Sequence, residues 1–217
     1  MKCIILGNGK APLLTDFKWF LKIINPEFIV CADGGANTAY KFNILPDFIT
    51  GDFDSIKPQV YKYFKDKCEM IENSGQYDTD IEKSLKLALS YKCEEAFLFG
   101  VSGNRLDHSL ANIAIALKFS DRLKISIISE KSILQIIEGS VELKSVPGEI
   151  ISLFGIDGIT SFTLKGFKYP LKNETLQFGV RESCSNESVI VNPEVIVQHG
   201  KGIIIRDHGF MRKNGLF

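Results

Sequence analysis

One tryptophan, three histidines and five scattered cysteines in 217 residues leave little material for several familiar chemistries. Cys3, Cys31, Cys68, Cys93 and Cys184 are odd in number and never fall in a C-x-x-C spacing. That excludes a full disulfide frame and a thiolate zinc site, and fits reduced thiols in a cytoplasmic protein. No stretch approaches the roughly 20 apolar residues of a membrane span, and the opening run Cys3 to Leu6 is too short for a signal peptide. An excess of charge is missing too, with 26 Lys plus Arg against 26 Asp plus Glu. Neither a nucleic acid nor an anionic membrane is therefore an expected partner, since both are held by net or patterned positive charge. Neither G-x-G-x-x-G nor G-x-x-x-x-G-K-[ST] occurs, so the chain has no dinucleotide fingerprint and no Walker loop.

What is present is the composition of an ordinary globular chain, 45% apolar and 24% charged. Short apolar runs suited to buried strands cover Cys3 to Leu6, Phe28 to Ala32, Phe48 to Thr50, Glu69 to Glu72, Ala96 to Phe99 and Lys124 to Ile128. Helical patterns lie between them. Phe17, Phe20, Leu21 and Ile24 follow Thr15 as an N-cap, Ile81, Leu85, Ala88 and Leu89 share one face, and so do Leu106, Leu110, Ile113, Ala114 and Leu117. This alternation predicts an α/β domain over 1–138 with a doubly wound, mostly parallel sheet. After Glu138 the helical pattern gives way to short β-like runs: Val141 to Val146, Glu149 to Phe154, Ser161 to Leu164, Ser188 to Val191, Val195 to Gln198 and Ile203 to Ile205. They predict a small all-β sandwich over 139–217.

In a doubly wound sheet, ligands bind beyond the carboxyl ends of the strands. Those ends run into Asp33-Gly34-Gly35-Ala-Asn37, Gly51-Asp52-Phe-Asp54-Ser55, Asp78-Thr79-Asp80-Ile-Glu82 and Gly100-Val-Ser102-Gly-Asn-Arg105-Leu-Asp107-His108. Each delivers at least one carboxylate. Converging like charges are costly unless a cation sits among them, and Mg²⁺ with carboxylate and phosphate oxygens resolves the cost. Asp52 and Asp54, alternate residues of an extended segment, point the same way and suit such a role. Each of these acids has an alternative use as a turn former or helix cap. Thr79 and Glu82 read as a capping box, which explains part of the Asp80 motif without a metal. Gly34 and Gly35 permit close approach of phosphate at a helix start, Ser102 shares that logic, and Arg105 either clamps phosphate or pairs with Asp107. His108 is either a ligand-orienting group or a cap, whereas His199 and His208 read as structural. Tyr169, Phe167 and Phe178 are aromatic residues available for stacking in the β-domain.

The order Asp33-Gly-Gly-Ala-Asn37, Gly51-Asp-Phe-Asp-Ser55, Thr79-Asp-x-Glu-Lys83, Gly103-x-Arg-x-Asp-His108 and Ser185-Asn-Glu187, together with Gly166 to Leu176, closely resembles the thiamine pyrophosphokinase family. The resemblance implies a catalytic α/β domain and a thiamine-binding, dimerising β-sandwich, working as a homodimer with active sites shared between subunits. It implies transfer of the pyrophosphoryl group of ATP to thiamine, with Mg²⁺. On the matching positions it implies catalytic roles for Asp52, Asp54, Asp80 and Arg105. It implies ATP contacts from Asp33, Gly34, Gly35, Asn37, Ser102, Arg105, Asp107 and His108, and metal ligation by Asp33, Asp52, Asp54 and Asp80. It also implies thiamine contacts from Ser185 and Asn186. The family's Asp-x-Thr-Asp begins here with Tyr77, and an acid stands at Asp78 instead, a further metal candidate. The family's aromatic platform is often Trp, but the only Trp is Trp19, so a residue such as Tyr169 must serve. Two rivals stand beside this reading: a pyrophosphokinase for another hydroxymethyl heterocycle such as a pterin, and a non-catalytic nucleotide or thiamine sensor. From Asp33 to Asp80 nine acids face five lysines, so overall neutrality conceals a local negative stretch.

Overall fold

The computed structural model describes residues 1–75, 77–103 and 105–217, and these fall into two compact units, Met1–Glu130 and Lys131–Phe217. In the first, six strands form a parallel array: β1 (Lys2–Leu6), β2 (Phe28–Ala32), β3 (Phe48–Gly51), β4 (Glu69–Glu72), β5 (Glu95–Phe99) and β6 (Lys124–Ile128). Their spatial order is β6-β5-β1-β2-β3-β4, every pairing parallel. The central strands β1 and β2 are almost wholly buried, as their unbroken apolar runs require of a sheet covered on both faces. The helices are α1 (Leu14–Ile24), α2 (Gly35–Phe42), α3 (Pro58–Phe64), α4 (Asp80–Ser90) and α5 (Leu106–Phe119). Phe17 of α1 packs edge-on against Phe99 of β5 and touches Phe42 of α2, while α4 and α5 meet through Glu82 and Lys118.

Two helix expectations need correction. The N-cap of α1 is Leu13, whose carbonyl accepts the Asp16 and Phe17 N–H groups, so Thr15 lies inside the first turn. In α5 the buried face is Asn112, Ile115, Ala116 and Phe119, whereas Leu106 is 83% exposed and Leu110 63%. Both stripes satisfy the helical period. Tertiary packing chose the one whose Asn112 amide donates to the Val101 carbonyl at 2.7 Å.

The second unit is built on two long strands, β7 (Ser132–Glu142) and β12 (Glu194–Asp207), paired antiparallel along their length. The first part of β12 also pairs with β9 (Ser161–Lys165), which carries β10 (Leu171–Thr175). Its last part pairs with β8 (Ile150–Gly155), which carries β11 (Ser183–Glu187). Between those halves the register shifts, with His199 and Gly200 at φ 58° and 97° and Gly139 opposite at φ 67°. The bend lets two long strands serve two sheets around a core that includes Leu153, Phe162, Leu164, Val195 and Ile204.

The composition shift at 138/139 falls inside β7, where Gly139 lies opposite the register shift of β12, and the compact units divide at 130/131. Val195 to Gln198 and Ile203 to Ile205 are one strand, not two. Ser188 to Val191 is no strand; pairing ends at an isolated bridge between Phe167 and Ser188, and Val189, Ile190 and Val191 are exposed. Strands β10 and β11 were not anticipated, since polar residues dominate both. A closing helix α6 (His208–Lys213) is capped by Asp207, whose carboxylate accepts the Phe210 N–H at 2.7 Å. Six residues are too few to show a helical period.

Candidate active site

The chain runs β1 to β4 outward in one direction and then returns to place β5 on the other side of β1. The switch point therefore lies between β1 and β5, and the crevice beyond the strand ends is where such sheets bind ligands. The loop after β1 is tied to the loop after β5 by three backbone bonds: Gly7 N–H to the Phe99 carbonyl, Gly9 to Gly100 and Lys10 to Ser102. Sequence reasoning passed over Gly7 to Lys10. Its signal was a pair of glycines at the end of the first strand.

Asp33 follows β2 in a left-handed conformation, φ 44°, with its N–H donating to the Thr50 carbonyl at 2.8 Å. The turn is possible because Gly51 faces it: a Cβ at Gly51, itself at φ 151°, would stand 2.8 Å from the Asp33 Cβ. Asp33 is buried, and its Oδ1 has no hydrogen-bond partner. Burial raises its pKa above the ordinary carboxylate value; the Ser55 hydroxyl and Gly34 N–H oppose that shift, while Asp80 and Asp54 add to it. Asp52 and Asp54 come from the turn after β3, where the Asp54 N–H donates to Asp52 Oδ1 at 3.3 Å and the Ser55 hydroxyl to Asp54 Oδ1 at 2.9 Å. One carboxylate oxygen from each of Asp33, Asp52 and Asp54 lies within 4.8 Å of the others.

Asn37 has both ends of its amide engaged, donating to the Ser55 carbonyl at 2.9 Å and accepting the Lys57 N–H at 3.0 Å. It holds the acidic turn in place from α2. Gly35 is needed within the fold, since a Cβ there would fall 1.8 Å from the Leu6 carbonyl oxygen, and a Cβ at Gly34 would strike the Asn8 side chain.

The capping box is formed as expected: Thr79 Oγ1 accepts the Glu82 N–H at 3.2 Å and Glu82 Oε2 accepts the Thr79 N–H at 3.3 Å. It sets Asp80 as the first residue of α4, with Oδ1 3.1 Å from the Lys83 ammonium. Lys83 is nearly buried, 6% exposed, and also donates to the Asn73 carbonyl at 2.8 Å. Sequence reasoning noted Lys83 only as part of a motif; its one local signal is a cation three residues beyond an acid on a helix. Asp78 is bound by Lys86 at 2.6 Å, which holds its carboxyl below the usual range. Asp78 and Asp80 therefore stand outside the three-carboxylate cluster, each with its own lysine.

Arg105 pairs with Asp107 through both Nε and Nη2, and the guanidinium lowers the Asp107 pKa to about 2. Both side chains are exposed, as is His108. Asn104 of the same motif lies outside the described residues. Ser102 contributes its backbone carbonyl to the link with Lys10. In the second unit, Ser185 sits at φ 56° in a bulge of β11, its N–H bonded to the Ser152 hydroxyl at 2.9 Å. Asn186 is buried with its amide fully engaged, and the Tyr169 side chain is exposed.

These features define a class: an α/β protein with oxygen-only donors gathered at the carboxyl edge of a parallel sheet, followed by a separate β unit. The family model described as thiamin pyrophosphokinase, catalytic domain, matches residues 21–128, and that described as thiamin pyrophosphokinase, vitamin B1 binding domain, matches 138–204. Thiamine pyrophosphokinase of Bacillus subtilis is 29% identical over 212 residues, covering 94% of this chain and 97% of that one. The crystal structure of thiamin pyrophosphokinase from Geobacillus thermodenitrificans superposes with a TM-score of 0.78 at 27% identity, covering 95% and 97%. That from Candida albicans shares the fold, with a TM-score of 0.83 at 20% identity, covering 95% and 89%. The chain belongs to the thiamine pyrophosphokinase family.

Proposed function

We propose that this chain transfers the pyrophosphoryl group of ATP to the hydroxyl of thiamine, giving thiamine diphosphate and AMP, with Mg²⁺ as cofactor. The hydroxyl oxygen bonds to the β-phosphorus, the bond from that phosphorus to the oxygen bridging α and β breaks, AMP leaves with that oxygen, and the hydroxyl proton is released. The observation that supports the reading within this family is the convergence of Asp33, Asp52 and Asp54, one of them buried with an unpartnered oxygen.

Oxygen-only donors, like-charged and clustered, fit a hard divalent cation. Asp33, Asp52 and Asp54 would hold it, with Asp80 beside them on α4. When bound, such a cation supplies charge neutralisation between phosphate oxygens. The chain's own groups do the positioning. Asn37 fixes the turn that carries Asp52 and Asp54, the Thr79–Glu82 box fixes Asp80, and Lys83 holds the Asp80 carboxylate from behind. Arg105 is exposed and exchanges its bond to Asp107 for one to a phosphate when ATP enters, along with His108 and the loop that includes Ser102. Ser185 and Tyr169 face thiamine, a flat cation suited to an aromatic surface.

We further propose a cytoplasmic homodimer whose active sites draw on both subunits; the five free thiols are in keeping with that compartment. The decisive experiment measures AMP release with ATP and Mg²⁺, using thiamine and hydroxymethylpterin as rival acceptors. Thiamine-dependent AMP that disappears on chelation is expected; AMP only with the pterin transfers the reading to the rival substrate, and none with either overturns it. Full activity in a chain that sediments as a monomer would refute the shared sites.

A further inference from the structure

Asn186 offers two donors and two acceptor positions, and all are used inside the protein. Its Oδ1 accepts the Tyr169 N–H at 3.1 Å and the Glu187 N–H at 2.9 Å, while its Nδ2 donates to the Tyr169 carbonyl at 2.8 Å and the Ser183 hydroxyl at 3.3 Å. The residue is 1% exposed. No polar atom of it remains for a ligand. It lies at the bulge of β11 that turns Cys184 and Ser185 outward, with Ser185 in the left-handed region.

What this amide grips is the backbone of a residue whose own side chain faces solvent: Tyr169 is 61% exposed. The neighbouring chain is fixed in the same way. Lys168 N–H donates to the Glu187 carbonyl at 2.8 Å, Val189 N–H to the Gly166 carbonyl at 2.9 Å, and Phe167 is buried and bridged to Ser188. An exposed loop aromatic ordinarily needs no such anchorage. A backbone bonded at both N–H and C=O by one buried amide holds the ring's origin still and so lowers the ordering cost when a flat ligand stacks on it.

We propose that Asn186 is a positioning residue, which acts on thiamine through Tyr169 and not by touching it. The inference rests on the proposed thiamine reaction and assigns Tyr169 as the aromatic face of the site. The test is a double-mutant cycle of Asn186→Ala and Tyr169→Ala, reading the thiamine Kd by calorimetry together with KM for thiamine and for ATP. Each single change is expected to weaken thiamine about tenfold while leaving the KM for ATP within about twofold, a size in keeping with one aromatic–cation contact. In the Tyr169→Ala background, Asn186→Ala should add less than about twofold, because the ring it positions is gone. Independent, multiplying effects would mean that Asn186 acts on thiamine directly and would overturn the proposal, as would an unchanged thiamine Kd in Asn186→Ala.

Asn186→Asp, which keeps the shape but sets an oxygen against the Tyr169 carbonyl, serves if the alanine variant does not fold. Hydrogen exchange on the wild-type chain needs no variant: the Tyr169 amide should be protected, and exchange at the rate of an open loop would sink the idea. A wild-type chain that neither binds thiamine nor releases AMP would refute the parent reading and this one together. A chain that does both while the cycle is additive refutes only this one.

Discussion

Each unit buries a carboxylate, Asp33 in the first and Glu149 in the second, and the two are treated in opposite ways. In the second unit Glu149 is 0% exposed and has every near neighbour a carboxylate wants: Arg206 Nε at 2.7 Å, Arg206 Nη2 at 2.8 Å and the Ser145 hydroxyl at 2.5 Å. Arg206 spends its remaining reach on the Lys144 carbonyl at 2.7 Å. In the first unit Asp33 is 3% exposed, has an oxygen with no partner, and faces Asp52 and Asp54 instead of a cation. A saturated buried ion pair holds a fold in register. An unsaturated carboxylate among its own kind costs stability and is explained by something it binds.

The largest effect expected from breaking that contrast is catalytic. Asp54→Asn removes a donor from the open cluster and should lower thiamine-dependent AMP release by on the order of 10² to 10³, the scale of losing one electrostatic group at a developing charge. Melting temperature should hold or rise, because a like charge has left. An unchanged rate would mean that the cluster does not carry the chemistry and would favour a sensor. The matching change in the other unit has the reverse signature. Arg206→Met strands Glu149 and should cost about 3 to 5 kcal/mol in denaturant unfolding, while the surviving folded fraction keeps its rate per molecule.

Glu82 tests whether saturation, rather than location, marks the structural acids. It lies in the catalytic unit and is 7% exposed, yet both its oxygens are engaged, one by the Thr79 N–H and the other by Lys118. Thr79→Ala should therefore cost stability first, about 1 kcal/mol for a lost cap, with a smaller fall in rate through misplacement of Asp80. A rate loss matching that of Asp54→Asn, with stability unchanged, would place Thr79 in the chemistry.

The contrast between these acids was half visible in the sequence. Five strands of the first unit could be read there from mostly apolar runs and the capping box from its local pattern, whereas β4, an edge strand exposed at both its glutamates, showed only a two-residue apolar centre. Asp33, Asp52 and Asp54 could be read as strand-end acids. What could not be read was which acids would stand without a cation, since the lysines that pair with Asp78 and Asp80 sit eight and three residues away on a helix and reach back through side-chain geometry. The α5 face failed for a related reason: two stripes had the same period, and only the sheet beneath distinguished them. In the second unit, β10 and β11 carry polar residues such as Asn173 and Asn186 whose partners lie well away along the chain, so alternation gave no signal.

The smallest expected effect comes from the limiting case of a saturated acid with no burial at all. Asp107 and Arg105 are both exposed, and the guanidinium, with a smaller contribution from the His108 N–H, holds the Asp107 pKa at about 2. A depressed folded-state value means that any stability from the pair is fully present above the ordinary aspartate pKa and is lost as pH falls from there through about 2. Solvent screening keeps that stability contribution slight. The sharper readout is the titration itself: carboxyl NMR should place Asp107 near the depressed value in the free chain and return it to the usual aspartate range in Arg105→Met. Saturating ATP should do part of the same if Arg105 leaves Asp107 for a phosphate. An Asp107 titration indifferent to ATP would make the pair a surface clasp like Lys165 and Glu194, and would confine the phosphate-binding role to the other loops.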